Sequence, residues 1–402
     1  MKHKFTVVIP TRDRAKTLNF SIKSVIRQDY DNLTILVSDN ASTDETREVV
    51  SSFNDSRLKY INPGSRMSMA RHFEFALANV ADGYVISIGD DDGLAVNSIA
   101  SANDIVVSEN ALAITSERAQ YDWEGMNNNR DNQLMFSLNT GIERRNTRKY
   151  LDRVLNGNLA YQEIPIAYHG FVAASELSKL RATQGKVFLS NQLDMYSALA
   201  LAHAVPEYIH SRAPMVINGT SSRSNGASHF GLTSNLTEKI NWERENDLPP
   251  LPPFEFLPSI KLLLAEAYMQ LKQSNTTEPI VMFNLRQMLV EGYAEQLNLS
   301  HLDVAEKIAR IASHWDITLT RHSPEVTVRR GGLVLRRLRH LALKALARKS
   351  GLIDCGKFGV NDIAAAAQLM EYLRVFTNES MMRNRAKLFL MRLGIKSFST
   401  EQ

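Results

Sequence analysis

Along the first hundred residues the hydrophobic positions fall into short continuous runs, separated by stretches whose apolar residues have helical spacing. FTVVI at 5–9 is β-branched, is closed by Pro10 and leads into the polar segment TRDRAK, the pattern of a buried strand feeding a loop. In TLNFSIKSVIRQ, Leu18, Ile22, Val25 and Ile26 recur at i, i+4, i+7 and i+8, which makes one apolar helix face with Lys23 and Arg27 opposite. LTILVS at 33–38 reads as a second buried strand, and in the following DNASTDE either Ser42 or Thr43 is placed to cap a helix whose first turn holds Asp44 and Glu45. LKYIN at 58–62, a helix containing MARHFEFALANV, and YVISIG at 84–89 continue the alternation. Strands alternating with helices predict βαβ units, hence a mostly parallel sheet with helices on both faces.

In open sheets of this kind ligands bind beyond the carboxyl ends of the strands, and the polar residues collect there. Strand one is followed by Thr11, Arg12, Asp13 and Arg14, strand two by Asp39 and Asn40, and the strand at 84–89 by Asp90, Asp91 and Asp92. Three adjacent carboxylates at a buried strand end repel one another unless a cation is present. A hard divalent ion, Mg²⁺ or Mn²⁺, resolves the conflict by taking one or two carboxylates together with substrate phosphates and waters. A solvated acidic turn is the competing reading of the triplet, and its place at a strand end favours the site. Asp39 is placed to accept hydrogen bonds from a base or ribose, or to cap a turn. Arg12, Arg14, Arg66 and Arg71 are candidate diphosphate contacts because guanidinium matches phosphate oxygens bidentately. No P-loop and no G-x-G-x-x-G occurs in this region, which disfavours P-loop and dinucleotide folds.

These motifs, in this order, resemble the opening of family 2 glycosyltransferases of the GT-A fold. The segment VVIPTRDRAKTLNFSIKSVIRQDYDNLTILVSDNASTDET and the stretch ADGYVISIGDDDGL carry the likeness, tightly over residues 5–95 and loosely to about 230. The resemblance implies a nucleotide-diphosphate sugar donor lying along Pro10, Thr11, Arg12, Arg14, Asp39, Asn40, Arg71, Asp90 and Asp91, with Asp39 near the base and the aspartates near ribose and metal. Many members read D-x-D-D, where this chain has Gly89 at the first position, so either Asp91 or Asp92 is the metal ligand. The resemblance also implies a late histidine as a further ligand, for which His229 in the Gly/Ser/Asn-rich loop at 213–230 is the candidate beside an ordinary loop histidine; Arg223 shares that loop. An inverting transfer needs a general base opposite the leaving diphosphate. The family places it near the start of a helix after the acceptor-side strands, and Asp194 in FLSNQLDMYSALALAHAV, with Ser190 or Asn191 as cap, is the candidate, against a first-turn aspartate serving only the helix dipole. Glu163 is the reserve, and His169 reads as a core histidine or an acceptor contact.

Composition bounds this picture. A chain of 402 residues, 44% hydrophobic and 22% charged, has room for two or three globular domains. The expected division is a GT-A domain over 1–246, with a nucleotide-sugar half to residue 100 and an acceptor-side half from 101 to 246, then a proline-rich linker at 247–258 and a helical region over 259–402. A formal net charge of +4 does not imply nucleic acid. One cysteine, Cys355, makes an intrachain disulfide impossible. With no signal-peptide pattern and no run of roughly 20 apolar residues, the expected location is cytoplasmic, free or peripheral at the inner face of a membrane. The basic stretch 328–349 contains no acidic residue and alternates a stripe of Arg336, His340, Lys344 and Arg348 with one of Leu335, Leu338, Ala342, Ala345 and Leu346. It reads as an interfacial helix or as a bundle helix with a solvated basic face. The expected activity is transfer of a sugar to a glycan or lipid-linked glycan acceptor in cell-surface polysaccharide synthesis. The alternatives are a sugar nucleotidyltransferase, or a non-catalytic glycan-binding or assembly protein that keeps the fold.

Overall fold

The computed structural model describes residues 2–125, 131–224, 240, 244–274, 283–346 and 350–379. The strands β1 (Phe5–Thr11), β2 (Leu33–Asp39), β3 (Leu58–Ile61) and β4 (Tyr84–Ser87) form where the apolar runs stand, with α1 (Ala15–Ile26), α2 (Thr46–Ser51) and α3 (Met69–Ala78) between them. β1 pairs in parallel with β2 and β4, and β2 with β3. All seven residues of β1 are buried. Alternate side chains leave the sheet on opposite faces: Val7 and Ile9 pack with Leu18, Ile22 and Val25 of α1, whereas Val8 joins a core on the other face with Leu36 and Val85. Burial on both faces is why the run is continuous rather than alternating.

The chain then adds β5 (Gly93–Leu94), α4 (Ser98–Glu109), β6 (Ala113–Asp122), β7 (Gln133–Ser137), β8 (Ile142–Asn146), α5 (Thr147–Leu155), β9 (Phe171–Ala173), α6 (Ala174–Gln184), α7 (Leu193–Ala204) and β10 (Glu207–Thr220). β9 is antiparallel to both β4 and β6, so the sheet is mixed beyond β4. β10 runs 14 residues, parallel to β6 and antiparallel to β5 and β8. Its carboxyl end therefore arrives beside the turn after β4.

The chain beyond residue 247 departs from a simple helical appendage. Helices at Ile260–Ser274, Leu285–Asn298, Leu302–Ser313 and Pro324–Leu346 are present. Their buried residues share one core with Val8, Leu36 and the apolar face of α7. Phe254 and Leu257 of the proline-dense stretch are buried in that same core, so 247–258 is packed chain and no free hinge. Ser350–Asp354 then returns to the sheet as β11, antiparallel to β7. The helix Ile363–Glu379 covers Phe20, Tyr121 and Trp123. Short strands at a sheet edge carry little periodic signal, which is why β11 is not legible as a strand in a region of helical spacing. Among the described residues no helix is long and apolar enough to cross a membrane.

Candidate active site

The loops after β1 and β2 are laced together. Ser42 Oγ accepts the Asp13 N–H at 2.8 Å, and Asp44 Oδ2 accepts the Ala15 N–H at 2.9 Å, so these residues serve the start of α1. Asp44 also accepts from Thr46, but α2 itself begins at Thr46 without a side-chain cap from Ser42 or Thr43. The sequence expectation of a cap for the local helix is corrected here. Hydroxyl and carboxylate reach across the rim to a neighbouring helix instead, a choice that only tertiary proximity offers.

The three aspartates after β4 are all buried, and each meets the repulsion differently. Asp90 accepts hydrogen bonds from Thr11 Oγ1 at 2.7 Å and Arg14 Nη1 at 3.1 Å. Asp92 holds four donors on two oxygens: the Gly89 N–H (2.6 Å), Tyr168 Oη (2.7 Å) and His169 Nε2 (2.6 Å) on Oδ2, and the Gly219 N–H (2.8 Å) on Oδ1. Burial acts to raise its pKa, but His169 and these hydrogen bonds outweigh it and hold the carboxyl below the usual range. Asp91 is served by hydroxyls alone, Ser221 Oγ at 2.7 Å and Ser224 Oγ, while its carbonyl accepts the Trp123 indole at 2.8 Å. Burial, with Asp92 as the next contribution, pushes Asp91 up to about 6.

Two glycines make this turn possible. A Cβ on Gly219 would run into the Asp91 carbonyl, and one on Gly89 would stand 2.9 Å from both Asp92 Oδ2 and Tyr168 Oη. An aspartate at position 89 would therefore collide with the network around Asp92. His169 sits in the left-handed region at φ 68° and stacks on Tyr168 with ring centroids 4.0 Å apart. Its role is to anchor Asp92.

The residues expected to lie near the base are equally engaged. Asp39 Oδ1 accepts the Ser42 N–H at 2.9 Å, and Oδ2 accepts Tyr60 Oη at 2.6 Å and Asn62 Nδ2 at 3.2 Å. Asn40 is clamped to Met67 by two hydrogen bonds of 2.8 Å, one in each direction. Pro10 lies inside β1 opposite Ser38, where the register places it one residue before the Thr11 and Asp39 pair. His72, beneath them, bonds Ser38 Oγ at 2.9 Å, and burial lowers its pKa to about 4.

The expected phosphate contacts face acidic side chains of the segment at 244–247. Arg12 and Arg66 both pair with Glu245, the latter at 2.9 Å, and Arg71 pairs with Asp247. Arg14 joins Asp90 to the Arg223 carbonyl, and Arg223 reaches the Asp13 carbonyl. Asp194 stands in the first turn of α7, its Oδ2 bonded by the Tyr161 phenol. Gln192 takes the N-cap position and makes no side-chain cap bond; Ser190 Oγ accepts the Gln192 N–H at 3.1 Å. The Asp194 charge also contributes, after burial, Asp92 and Asp91, to raising the pKa of the Tyr168 phenol. Glu163 pairs with Arg145 at 2.8 Å, away from that turn's network. His229 lies outside the described residues.

Two buried carboxylates flanked by hydroxyls, with the nearby imidazole already committed to Asp92, suit a hard divalent cation shared with substrate phosphates. Among the described residues there is no ready cage of three or more His, Cys, Asp or Glu. Ser221, Ser224, Tyr60, Asn62, Trp123 and Tyr161 are not singled out by the sequence. The two serines belong to a loop whose polarity marks it; the others look like ordinary core or strand residues until the fold brings them in.

Residues 6–173 match the family model described as Glycosyl transferase family 2. Among curated relatives it is 34% identical over 94 residues to GalNAc(5)-diNAcBac-PP-undecaprenol beta-1,3-glucosyltransferase of Campylobacter jejuni, covering 23% of this chain and 30% of that protein. It is 31% identical over 87 residues to UDP-Glc:alpha-D-GlcNAc-diphosphoundecaprenol beta-1,3-glucosyltransferase WfgD of Escherichia coli, covering 22% and 34%. The alignments thus span about a third of each relative's length. Among solved structures, S. aureus TarS 1–349 in complex with UDP-GlcNAc superposes with a TM-score of 0.43 at 13% identity over 77% of this chain and 83% of that one.

Proposed function

We propose that this chain is a metal-dependent, inverting glycosyltransferase that moves a sugar from a nucleoside diphosphate to a hydroxyl of a glycan or lipid-linked glycan in cell-surface polysaccharide synthesis. The observation that carries the reading is the cluster of buried carboxylates at the end of β4, within residues that match the family 2 model, together with a carboxylate in the first turn of α7. The relatives whose names specify undecaprenol-linked diphosphates support the acceptor class.

In this reading Asp91, with Asp90, would hold Mg²⁺ or Mn²⁺, because the four donors on Asp92 leave it a structural role. The ion would neutralise charge developing on the departing diphosphate. Thr11 and Arg14 orient Asp90. Asp39, with Tyr60 and Asn62, offers the base side of the donor a polar edge. Asp194 takes the acceptor hydroxyl's proton as the acceptor oxygen bonds to the anomeric carbon and the carbon–oxygen bond to diphosphate breaks, its electron pair leaving with the phosphate.

A nucleotidyltransferase would need a glycine-rich loop after β1, and residues 11–16 contain no glycine. Thermal-shift measurements of the full chain with UDP-, GDP-, CDP- and dTDP-sugars, with and without Mn²⁺, test the reading. A Mn²⁺-dependent rise in Tm with one nucleotide class is expected; no response to any of them sinks it.

A further inference from the structure

The Asp194 carboxylate is held from two sides. Its Oδ1 accepts the Met195 backbone N–H at 2.9 Å, and its Oδ2 accepts the phenol of Tyr161. Tyr161 is 6% exposed and opens a single helical turn, Tyr161–Glu163. Its ring belongs to the main core, while its hydroxyl leaves that core for Asp194, with Gln162 beside it. Burial and then the adjacent carboxylate raise the phenol's pKa well above its ordinary value, so the hydroxyl stays a donor.

The turn that carries this phenol is itself braced. Glu163 pairs with Arg145 at 2.8 Å, and its carbonyl accepts the Tyr208 hydroxyl. The Arg145 guanidinium lies over the Tyr150 ring, 4.5 Å from its centroid, and also pairs with Glu143 at 3.2 Å. β8, α5 and β10 supply these residues, so the acceptor-side half fixes the turn from beneath. A tyrosine present only for packing would need no such mounting for its hydroxyl.

We infer that Tyr161 is a positioning residue of the transfer reaction, holding the Asp194 carboxylate in the one orientation that receives the acceptor's proton. The inference rests on the assignment of Asp194 as base. Orientation of a catalytic group is worth orders of magnitude in rate, and removal of a single hydroxyl isolates it. Tyr161→Phe keeps the ring in the core and removes the donor.

The test uses the full chain with Mn²⁺ and whichever of UDP-, GDP-, CDP- or dTDP-sugar gives the largest thermal shift, reading release of nucleoside diphosphate with water as acceptor. Tyr161→Phe should lower kcat about tenfold and leave the donor KM within about twofold, while a melting curve confirms folding. Asp194→Asn should lose about a hundredfold or more. The double variant should be no slower than Asp194→Asn, since a residue acting through another adds nothing once that other is gone. A wild-type kcat for Tyr161→Phe, or a double variant slower than Asp194→Asn by the full effect of Tyr161→Phe, overturns the inference. An Asp194→Asn variant at the wild-type rate removes the base assignment itself and the inference with it. A wild-type chain that releases no nucleoside diphosphate overturns the transferase reading before either.

Discussion

Asp91 and Asp92 are adjacent, chemically identical and both buried, yet they are held for opposite ends. His169 and the donors around Asp92 hold its carboxyl below the usual range, as expected of a carboxylate that ties β4 to β10 through the Gly219 N–H. Burial, then its neighbours Asp92 and Asp90, push Asp91 up to about 6 against the opposing effects of Arg14 and the Ser224 hydroxyl. Asp92→Ala should therefore destabilise the fold by about 3 kcal/mol or more, because it strands His169 and two backbone N–H groups without their acceptor; urea unfolding measures it. Asp91→Asn should leave the melting temperature of the metal-free protein unchanged or higher while abolishing the Mn²⁺-dependent part of the donor thermal shift. An equal loss of stability in both variants would contradict this division. The acidic triplet at the end of β4 is legible in sequence, but the division of hydrogen bonds within it is not. It depends on Tyr168, His169 and Gly219, which lie 76, 77 and 127 residues from Asp92 along the chain.

At the level of elements, the segment at 244–247 stands against the carboxyl ends of the parallel strands. Its Glu245 and Asp247 engage Arg12, Arg66 and Arg71, cations that a diphosphate would also seek. An incoming anion must compete with these carboxylates, so Glu245→Gln should tighten nucleoside diphosphate binding several-fold at low salt, with the difference shrinking as ionic strength rises. Calorimetric titration with UDP and GDP at two salt concentrations checks this; weaker binding would instead make Glu245 part of the donor site. The same segment leads into the proline-dense stretch, where Leu251 donates its N–H to Glu266 Oε1 at 3.0 Å. Burial pushes Glu266 up to about 7. A carboxyl raised in the folded state adds stability at low pH and loses it as pH climbs through about 7. Glu266→Gln should thus match wild type near pH 5 and exceed it at pH 8 by roughly 1–3 kcal/mol, read from unfolding curves across that range.

The described residues carry one mixed sheet, and the helices from Ile260–Ser274 to Pro324–Leu346 share a core with one face of it, where the chain's changing periodicity suggests separate parts. The helix Pro324–Leu346 is anchored by buried Val326 and by the pairing of Arg329 with Glu291 at 3.2 Å. Val328, Leu335 and Leu338 on it are 73%, 68% and 57% exposed, beside a stretch without acidic residues. An interfacial helix would place such exposed apolar residues against a membrane, and a helix with a solvated basic face would not. The full chain is expected to co-sediment with vesicles containing anionic phosphatidylglycerol and not with neutral phosphatidylcholine vesicles, and Leu335→Asp with Leu338→Asp should release it. Equal recovery with both vesicle types, or none, rejects the membrane surface.

By itself the sequence determined the alternating strands and helices of the first hundred residues, the rim where polar residues gather, and the acidic cluster at the end of β4, because periodicity and strand-end chemistry are local properties of the chain. Tertiary structure alone decided which aspartate is saturated with donors, that Ser221 and Ser224 reach Asp91, that Tyr161 holds Asp194, that acidic residues at 245 and 247 face the arginines, and that β11 returns to the sheet. Hydrogen-bond satisfaction and burial are set by partners distant in the chain, and no local pattern carries them.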